Sequence, residues 1–247
     1  MHEARRATRT SARPGATTGA TELKATSGSP AVSGPLASAS RALAFGFAAP
    51  AYAFLTAHDA WRASCRALGE LVPGPRVLDL GVGPGASVLE VAVRDGRVHV
   101  GLDVSHRMLQ RAAHRARARG LALPLVRADA MVLPFRDGAL DGVTAHSVIY
   151  LLPDPAAALA EVSRVLRPGG RVALLEPRAS RPSLRGAWSG GPRYLASMLL
   201  WRAMSRLHSR FDERSLVALV EAAGLVRARA WPVLAGFGVV TVAERAA

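Results

Sequence analysis

Asp79-Leu80-Gly81-Val82-Gly83-Pro84-Gly85-Ala86-Ser87 sets a carboxylate two residues ahead of three alternating glycines, and the branched apolar run Val77-Leu78 leads into it. Glycines let the backbone turn through positive φ and approach a ligand where a Cβ would collide. An apolar strand ahead of such a turn suits the buried centre of a parallel sheet. The chain from about Gly85 to Val93 predicts a helix whose first free N–H groups point at the occupant of the loop. The stretch is therefore a candidate cofactor loop.

Two cofactors compete for it. Gly81 to Ala86 satisfies the dinucleotide pattern G-x-G-x-x-G/A. Asp79 shifts the balance, because a carboxylate at that strand end repels a pyrophosphate but suits the cationic α-amino group of a methionine-type ligand. Val98-His99-Val100-Gly101-Leu102-Asp103 reads as a second strand ending in an acid, placed to accept hydrogen bonds from ribose hydroxyls. Both cofactors carry that ribose, so Asp103 does not choose between them.

The elements that must position these groups follow in order. Ala42 to Leu71 is helical in pattern, interrupted at Gly46 and Pro50, and Pro73-Gly74-Pro75 punctuates the approach to the first strand. Ser105 is a good N-cap for a helix running to Arg119, with Gly120 as its stop. Leu123 to Ala128 predicts a third strand closed by Asp129-Ala130-Met131, and Leu140 to His146 a fourth. His146 and Tyr150 then fall at the carboxyl ends of the strands, where open α/β sheets place their ligands. They are the candidates for lining a reacting centre, with His146 the side chain whose ordinary pKa suits a base. Asp154-Pro155 opens a helix with a cap and an N1 proline. Arg171 to Glu176 is another strand ending in an acid, and Glu176 reads either as a substrate-orienting group or as a capped, solvated one.

Residues 178–211 leave the regular alternation. Arg178 to Arg193 has loop composition, and Tyr194 to Phe211 predicts an amphipathic helix with Leu200, Met204, Leu207 and Phe211 on one side and Arg202, Arg206 and Arg210 on another. Glu213 to Ala223 predicts a helix, then Leu225 to Val233 and Gly236 to Ala243 a final strand pair.

Taken together, Asp79-x-Gly81-x-Gly83-x-Gly85, Gly101-Leu102-Asp103-Val104-Ser105 with Met108-Leu109, Asp129-Ala130 before Leu133-Pro134-Phe135, Asp141-Gly142-Val143, Leu152-Pro153-Asp154-Pro155 and Val165-Leu166-Arg167-Pro168-Gly169-Gly170-Arg171 resemble the class I S-adenosylmethionine (SAM) methyltransferases. The wording is most similar to their small-molecule branch, which includes ubiquinone/menaquinone C-methyltransferases and phospholipid N-methyltransferases. The resemblance implies an α/β fold with a doubly wound, mostly parallel seven-stranded sheet and an antiparallel edge strand. It implies SAM held by Asp79, Gly81, Gly83, Gly85, Asp103, Val104, Met108, Asp129, Ala130, Met131 and His146, with Asp129 on the adenine amino group and Met131 flanking the base. It makes 178–211 a substrate lid, and Tyr52 and His58 pocket residues beneath a helical cover at 41–72. Asp129 read without the family is the cap of a short turn. Where the quinone C-methyltransferases carry an Arg-Asn pair after the fourth strand, this chain has Ile149-Tyr150, so their acceptor is not implied. The expected reaction is methyl transfer to a small, lipophilic or amphipathic acceptor, with His146, Tyr150 and Glu176 as candidate catalytic residues and no metal.

Composition bounds the alternatives. The chain has 247 residues and net charge +14, and the excess lies in three places. Residues 1–40, poor in apolar groups, carry five basic and two acidic residues; 107–119 carry five Arg and no acid; 178–214 carry eight Arg against two acids. The first stretch reads as a disordered extension ahead of a domain at 41–247. Arginines among apolar residues in the lid suit an anionic membrane surface, making a membrane- or nucleic-acid-binding protein on a vestigial cofactor fold the second reading. Nucleic acid is not expected, because the basic segments lack interleaved aromatics. An NAD-dependent dehydrogenase comes third, disfavoured by Asp79 and Asp129. The single Cys65 permits no internal disulfide, which with the absence of a transmembrane-length stretch predicts a cytoplasmic, at most membrane-peripheral, protein.

Overall fold

The computed structural model describes residues 58–92 and 97–247. The expected extension at 1–40 and the first part of the helical cover, with Tyr52, lie outside the described residues. Seven strands among these residues form one sheet: β1 (Arg76–Leu80), β2 (Val98–Asp103), β3 (Leu125–Arg127), β4 (Leu140–His146), β5 (Leu166–Pro177), β6 (Leu225–Val233) and β7 (Gly238–Arg245). Their order is β3-β2-β1-β4-β5-β7-β6. Neighbours from β3 through to β5 are parallel, whereas β7 runs antiparallel to both β5 and β6. The expected doubly wound sheet with an antiparallel strand near its edge is what forms. The chain reverses its direction of winding between β1 and β4, so the carboxyl ends of these two strands flank the crevice where such sheets take ligands.

Strand periodicity divides the core. Leu78 and Leu80 of β1 project to one face and pack with Val143, Leu159, Val162, Leu216 and Val220, which α4 (Pro155–Val165) and α7 (Glu213–Ala222) help supply. Val77 projects to the other face and joins Trp61, Cys65 and Leu68 of α1 (Asp59–Glu70), with Met198 and Trp201 of α6 (Pro192–Met204). Each such side chain, wholly removed from water, contributes about 1.5–3 kcal/mol. At the amino end of the sheet Asp141 accepts from Arg76 N–H and Nε, both at 3.0 Å, and from Arg167 Nε. Burial raises its pKa, but the hydrogen bonds from Arg76 and Arg167 outweigh that and hold it at about 2.

Local signals explain the helix ends. Ser105 caps α3 (His106–Arg117) by accepting the Met108 N–H, Asp154 caps α4 ahead of its N1 proline, and Asp212 with Ser215 closes a capping box on α7. The helix after the glycine loop is short, α2 (Val88–Ala92). Between β5 and α7 lie α5 (Leu184–Trp188) and α6. Here the prediction of one helix from 194 to 211 fails. Helix α6 stops at Met204, a 3-10 turn covers Ser205–Leu207, and Phe211 is buried through a bridge to Arg178. The buried face of α6 and its 3-10 turn is Ser197, Met198, Trp201 and Ser205, whereas Leu200 and Met204 are only partly buried. The reason is tertiary: Trp201 is the largest apolar group available, and its indole N–H reaches Ser147 Oγ at 3.0 Å. Arg202 does not stand in water on an outer face either; it donates to the carbonyls of Arg178 and Ser180 and ties the loop down.

Candidate active site at the carboxyl ends of the strands

The glycine loop has the conformation that its residues demand. Gly81, Gly83 and Gly85 have φ of 65°, 51° and 80°, a region that costs other residues roughly 1–2 kcal/mol. A Cβ at Gly81 would also lie 2.4 Å from Val148 Cγ2, so this turn is closed on its far side by the segment after β4.

Register decides what Asp79 does. It sits beside Gly101 of β2 and Thr144 of β4. Thr144 Oγ1 donates to Oδ1 at 2.9 Å and Ser87 Oγ to Oδ2 at 2.5 Å. The carboxyl group is 2% exposed, and burial, opposed by those two hydrogen bonds, raises its pKa to about 6. Asp79 thus faces inward and pins Ser87 under the loop. Alternation along β1 turns the side chain toward α1, into a small cavity shared with Cys65, Ser87, His99, Thr144 and His146.

Asp103 behaves differently. Its Oδ2 accepts the Gly83 N–H at 2.9 Å and its Oδ1 the Ser105 N–H at 2.8 Å, joining the loop to the end of β2. A carboxylate has about four lone-pair directions, so acceptor capacity remains on a group that is still partly open to solvent. Burial raises its pKa, with the two N–H groups working in the opposite direction. Asp129, after β3, accepts the Met131 N–H at 2.9 Å through Oδ1 and so caps the turn, the reading available without the family. Among the described residues its Oδ2 has no partner. Val104 and Val132 stand about half exposed at the ends of these strands, and Met131 is partly buried between them in sequence. Met108 and Ala130 are buried, Met108 on the inner face of α3.

The three catalytic candidates are enclosed. His146 is 5% exposed. Its ring lies 4.6 Å from that of Trp61, and Nε2 is 3.4 Å from both Ser64 Oγ and Cys65 Sγ. Nδ1 is buried without a partner, and burial lowers the pKa to about 3. Packing under α1 therefore favours the neutral ring at pH 7. Glu176 is fully buried and accepts the N–H groups of Val148, Ile149 and Tyr150 at 3.1, 2.9 and 3.3 Å. The solvated alternative for it is excluded. Burial, against those three bonds, raises its pKa to about 8. Tyr150 is 8% exposed, stays a phenol because burial raises its pKa, and meets the edge of His208 at 5.7 Å between ring centroids. His58 is the N-cap of α1, accepting the Trp61 N–H through Nδ1 and touching Tyr194 of α6 edge-on.

Four side chains escaped the sequence reading. Thr144 and Ser87 hold Asp79, Ser147 adopts φ 64° at the end of β4 and receives the Trp201 indole, and His208 places an exposed imidazole against Tyr150. Only Ser87, eight residues after Asp79 within the same motif, had a local signal. Nothing in the spacing of the others announces the contact.

The loop's positive-φ glycines, the ring of hydrogen bonds through Asp103 and the spare acceptor on Asp129 fit an adenosine-bearing ligand laid across β1, β2 and β3. Residues 78–174 match the family model described as a methyltransferase domain. Demethylmenaquinone methyltransferase of Corynebacterium urealyticum is 36% identical over 172 residues, which is 70% of this chain and 67% of that protein. The chain spans about half the length of several other demethylmenaquinone methyltransferases it matches. Among solved structures the [4+2]-cyclase SpnF superposes with a TM-score of 0.64 at 19% identity, covering 85% of this chain and 97% of that one. Phosphoethanolamine N-methyltransferase 2 of Haemonchus contortus, in complex with S-adenosyl-L-methionine, gives 0.60 at 16% identity, covering 76% and 53%. These two likenesses speak to fold alone, and a cyclase on this scaffold shows that fold does not decide chemistry. The sequence match across two-thirds of a methyltransferase does: the chain belongs to the class I SAM-dependent methyltransferases of the small-molecule type, and S-adenosylmethionine is its cofactor.

Proposed function

We propose that the enzyme methylates a small lipophilic acceptor whose nucleophile is a weakly acidic oxygen or carbon. The observation that carries this reading is the uncharged character of the acceptor side. Around the end of β4 stand Val148, Ile149, Tyr150, Trp201 and Phe211, and the one acid there, Glu176, has its oxygens taken by backbone N–H groups. Among the described residues an ammonium substrate would find no free carboxylate at this turn. A C. urealyticum relative named for demethylmenaquinone points the same way, while Ile149-Tyr150 in place of a polar pair leaves its particular quinone unassigned.

SAM supplies a methyl group on a sulfonium. The chain's own residues bind and orient: Gly81, Gly83 and Gly85 give the backbone approach, Asp103 accepts from the ribose hydroxyls, and Asp129 Oδ2 accepts from the adenine amino group. Val104 and Met131 flank the base. Asp79 acts one step back, fixing the loop through Ser87. Positioning of this kind is worth roughly 7–11 kcal/mol in well-oriented reactions, so no triad is required: a weakly acidic acceptor would attack as its anion, its proton released to solvent, and S-adenosylhomocysteine would be the leaving group. His146 supports the site through packing. The single buried Cys65 fits a reducing cytoplasm; no helix among the described residues is long and apolar enough to cross a membrane.

Purified protein loaded with SAM and offered quinols, phenols and amines separates the classes by mass. A gain of one CH2 on quinols or phenols is expected. Transfer confined to amines would overturn the acceptor class while leaving the methyltransferase intact.

A further inference from the structure

The outer surface of α5 and α6 is built unlike that of α3. On α6, Arg193, Ala196, Leu199, Ala203 and the following Arg206 recur at intervals of three or four and are all exposed, Leu199 to 44%. They form one face. That face is the one turned away from Met198 and Trp201, so α6 is apolar on both sides, with arginine only at the two ends of its outer stripe. A helix that is apolar all round is at home when both sides are covered. Helix α5 packs against α6 and exposes Leu184 to 56% and Trp188 to 62%, a pair four residues apart on one side. Arg181 and Arg185 are exposed beside them in sequence.

Charge selects the occupant. From Pro177 to Phe211 there are seven Arg and no Asp or Glu. A second copy would oppose the same arginines. The chain's own first 57 residues carry six basic residues against two acids, so they offer no complement of charge either. Helix α3 provides the contrast: its exposed Arg107, Arg111, Arg115 and Arg117 stand on a helix whose apolar residues are turned inward, as on an ordinary solvated face. Trp188 alone offers a nucleic acid a single stacking partner and the leucines none, whereas leucine and tryptophan among arginines suit the headgroup level of an anionic bilayer.

We propose that α5 and α6 dock the enzyme on membranes containing anionic phospholipid, Trp188, Leu184 and Leu199 entering the interface and Arg181, Arg185 and Arg206 meeting the phosphates. This rests on the lid geometry and not on the acceptor assigned above. Sedimentation of the full chain with phosphatidylcholine vesicles, with and without phosphatidylglycerol, tests it in the absence of acceptor or turnover, so failure here leaves the methyl-transfer reading standing. Binding should be about tenfold or more tighter to the anionic vesicles and weaken with salt. The emission of Trp188 should shift to the blue on binding; Trp188→Phe should remove the shift and Trp231→Phe should keep it. Arg181→Glu with Arg185→Glu should abolish sedimentation while SAM binding by calorimetry, which certifies folding, is unchanged. Equal binding to neutral vesicles, no binding, a shift that survives Trp188→Phe, or duplex DNA bound in preference to vesicles would each overturn the proposal, as would dimerisation through this face.

Discussion

Asp103 and Glu176 both close a central parallel strand with a carboxylate, and they serve opposite halves of the site. Asp103, at the end of β2, holds two N–H groups and remains partly open. Glu176, at the end of β5, holds three and is sealed. One retains acceptor capacity for a ligand; the other has spent it on shaping the 148–150 turn. A strand-terminal acid therefore announces a place in the fold, and the cover above it decides between binding and scaffolding. In the proposed reading the cofactor half is cut from backbone and half-open acids, the acceptor half from buried apolar groups braced by a hidden acid.

Gly81→Val should break the cofactor half most completely. The new side chain meets Val148 in a strained backbone region, so SAM binding by calorimetry should be lost. Gly81→Ala should weaken it less, and Val148→Ala added to that variant should recover part of the loss if the clash, not φ alone, is responsible. On the acceptor half, Glu176→Ala strands three N–H groups and should cost about 3–5 kcal/mol in denaturant unfolding. SAM affinity in the fraction that stays folded should change little, and a large loss of affinity would erase the contrast between the halves.

Titration sharpens it. Asp79 at about 6 and Glu176 at about 8 lie above their ordinary values of 3.8 and 4.5. Groups raised on folding contribute stability that is complete below the ordinary value and lost as pH rises through the folded one. The contributions of Asp79 and Glu176 to the thermal midpoint should accordingly decline between pH 4 and 8, opposed below about 6.5 by His146, whose lowered pKa favours the folded state as pH rises; Glu176→Gln should flatten the upper part of the decline and Asp79→Asn the lower. Asp141 acts in reverse, its contribution present above 3.8 and lost as pH falls through about 2. Asp103→Asn should weaken SAM binding about tenfold to a hundredfold, the size of one or two charge-assisted hydrogen bonds. The smallest effect belongs to His146→Asn: kcat should fall by no more than a few-fold, with no inflection removed from the pH profile near neutrality. Loss of such an inflection would restore His146 as a base.

The glycine loop, the capped helices at Ser105 and Asp154 and the succession of strands along the chain were legible because each depends on neighbours within a few residues: φ limits, a side-chain cap, a period of two or of three to four. The direction of Asp79, the enclosure of His146 and the turn of α6 onto Trp201 were not. Those depend on register between β1 and β4, on Trp61 arriving from α1, and on an indole N–H finding Ser147 across the fold. Residue types and spacing by themselves determined that acids and glycines would gather at the carboxyl ends of a parallel sheet. Which acids stay open, which are buried, and which face of the lid looks outward was decided only by tertiary packing, because burial and hydrogen-bond partners are properties of segments distant in sequence.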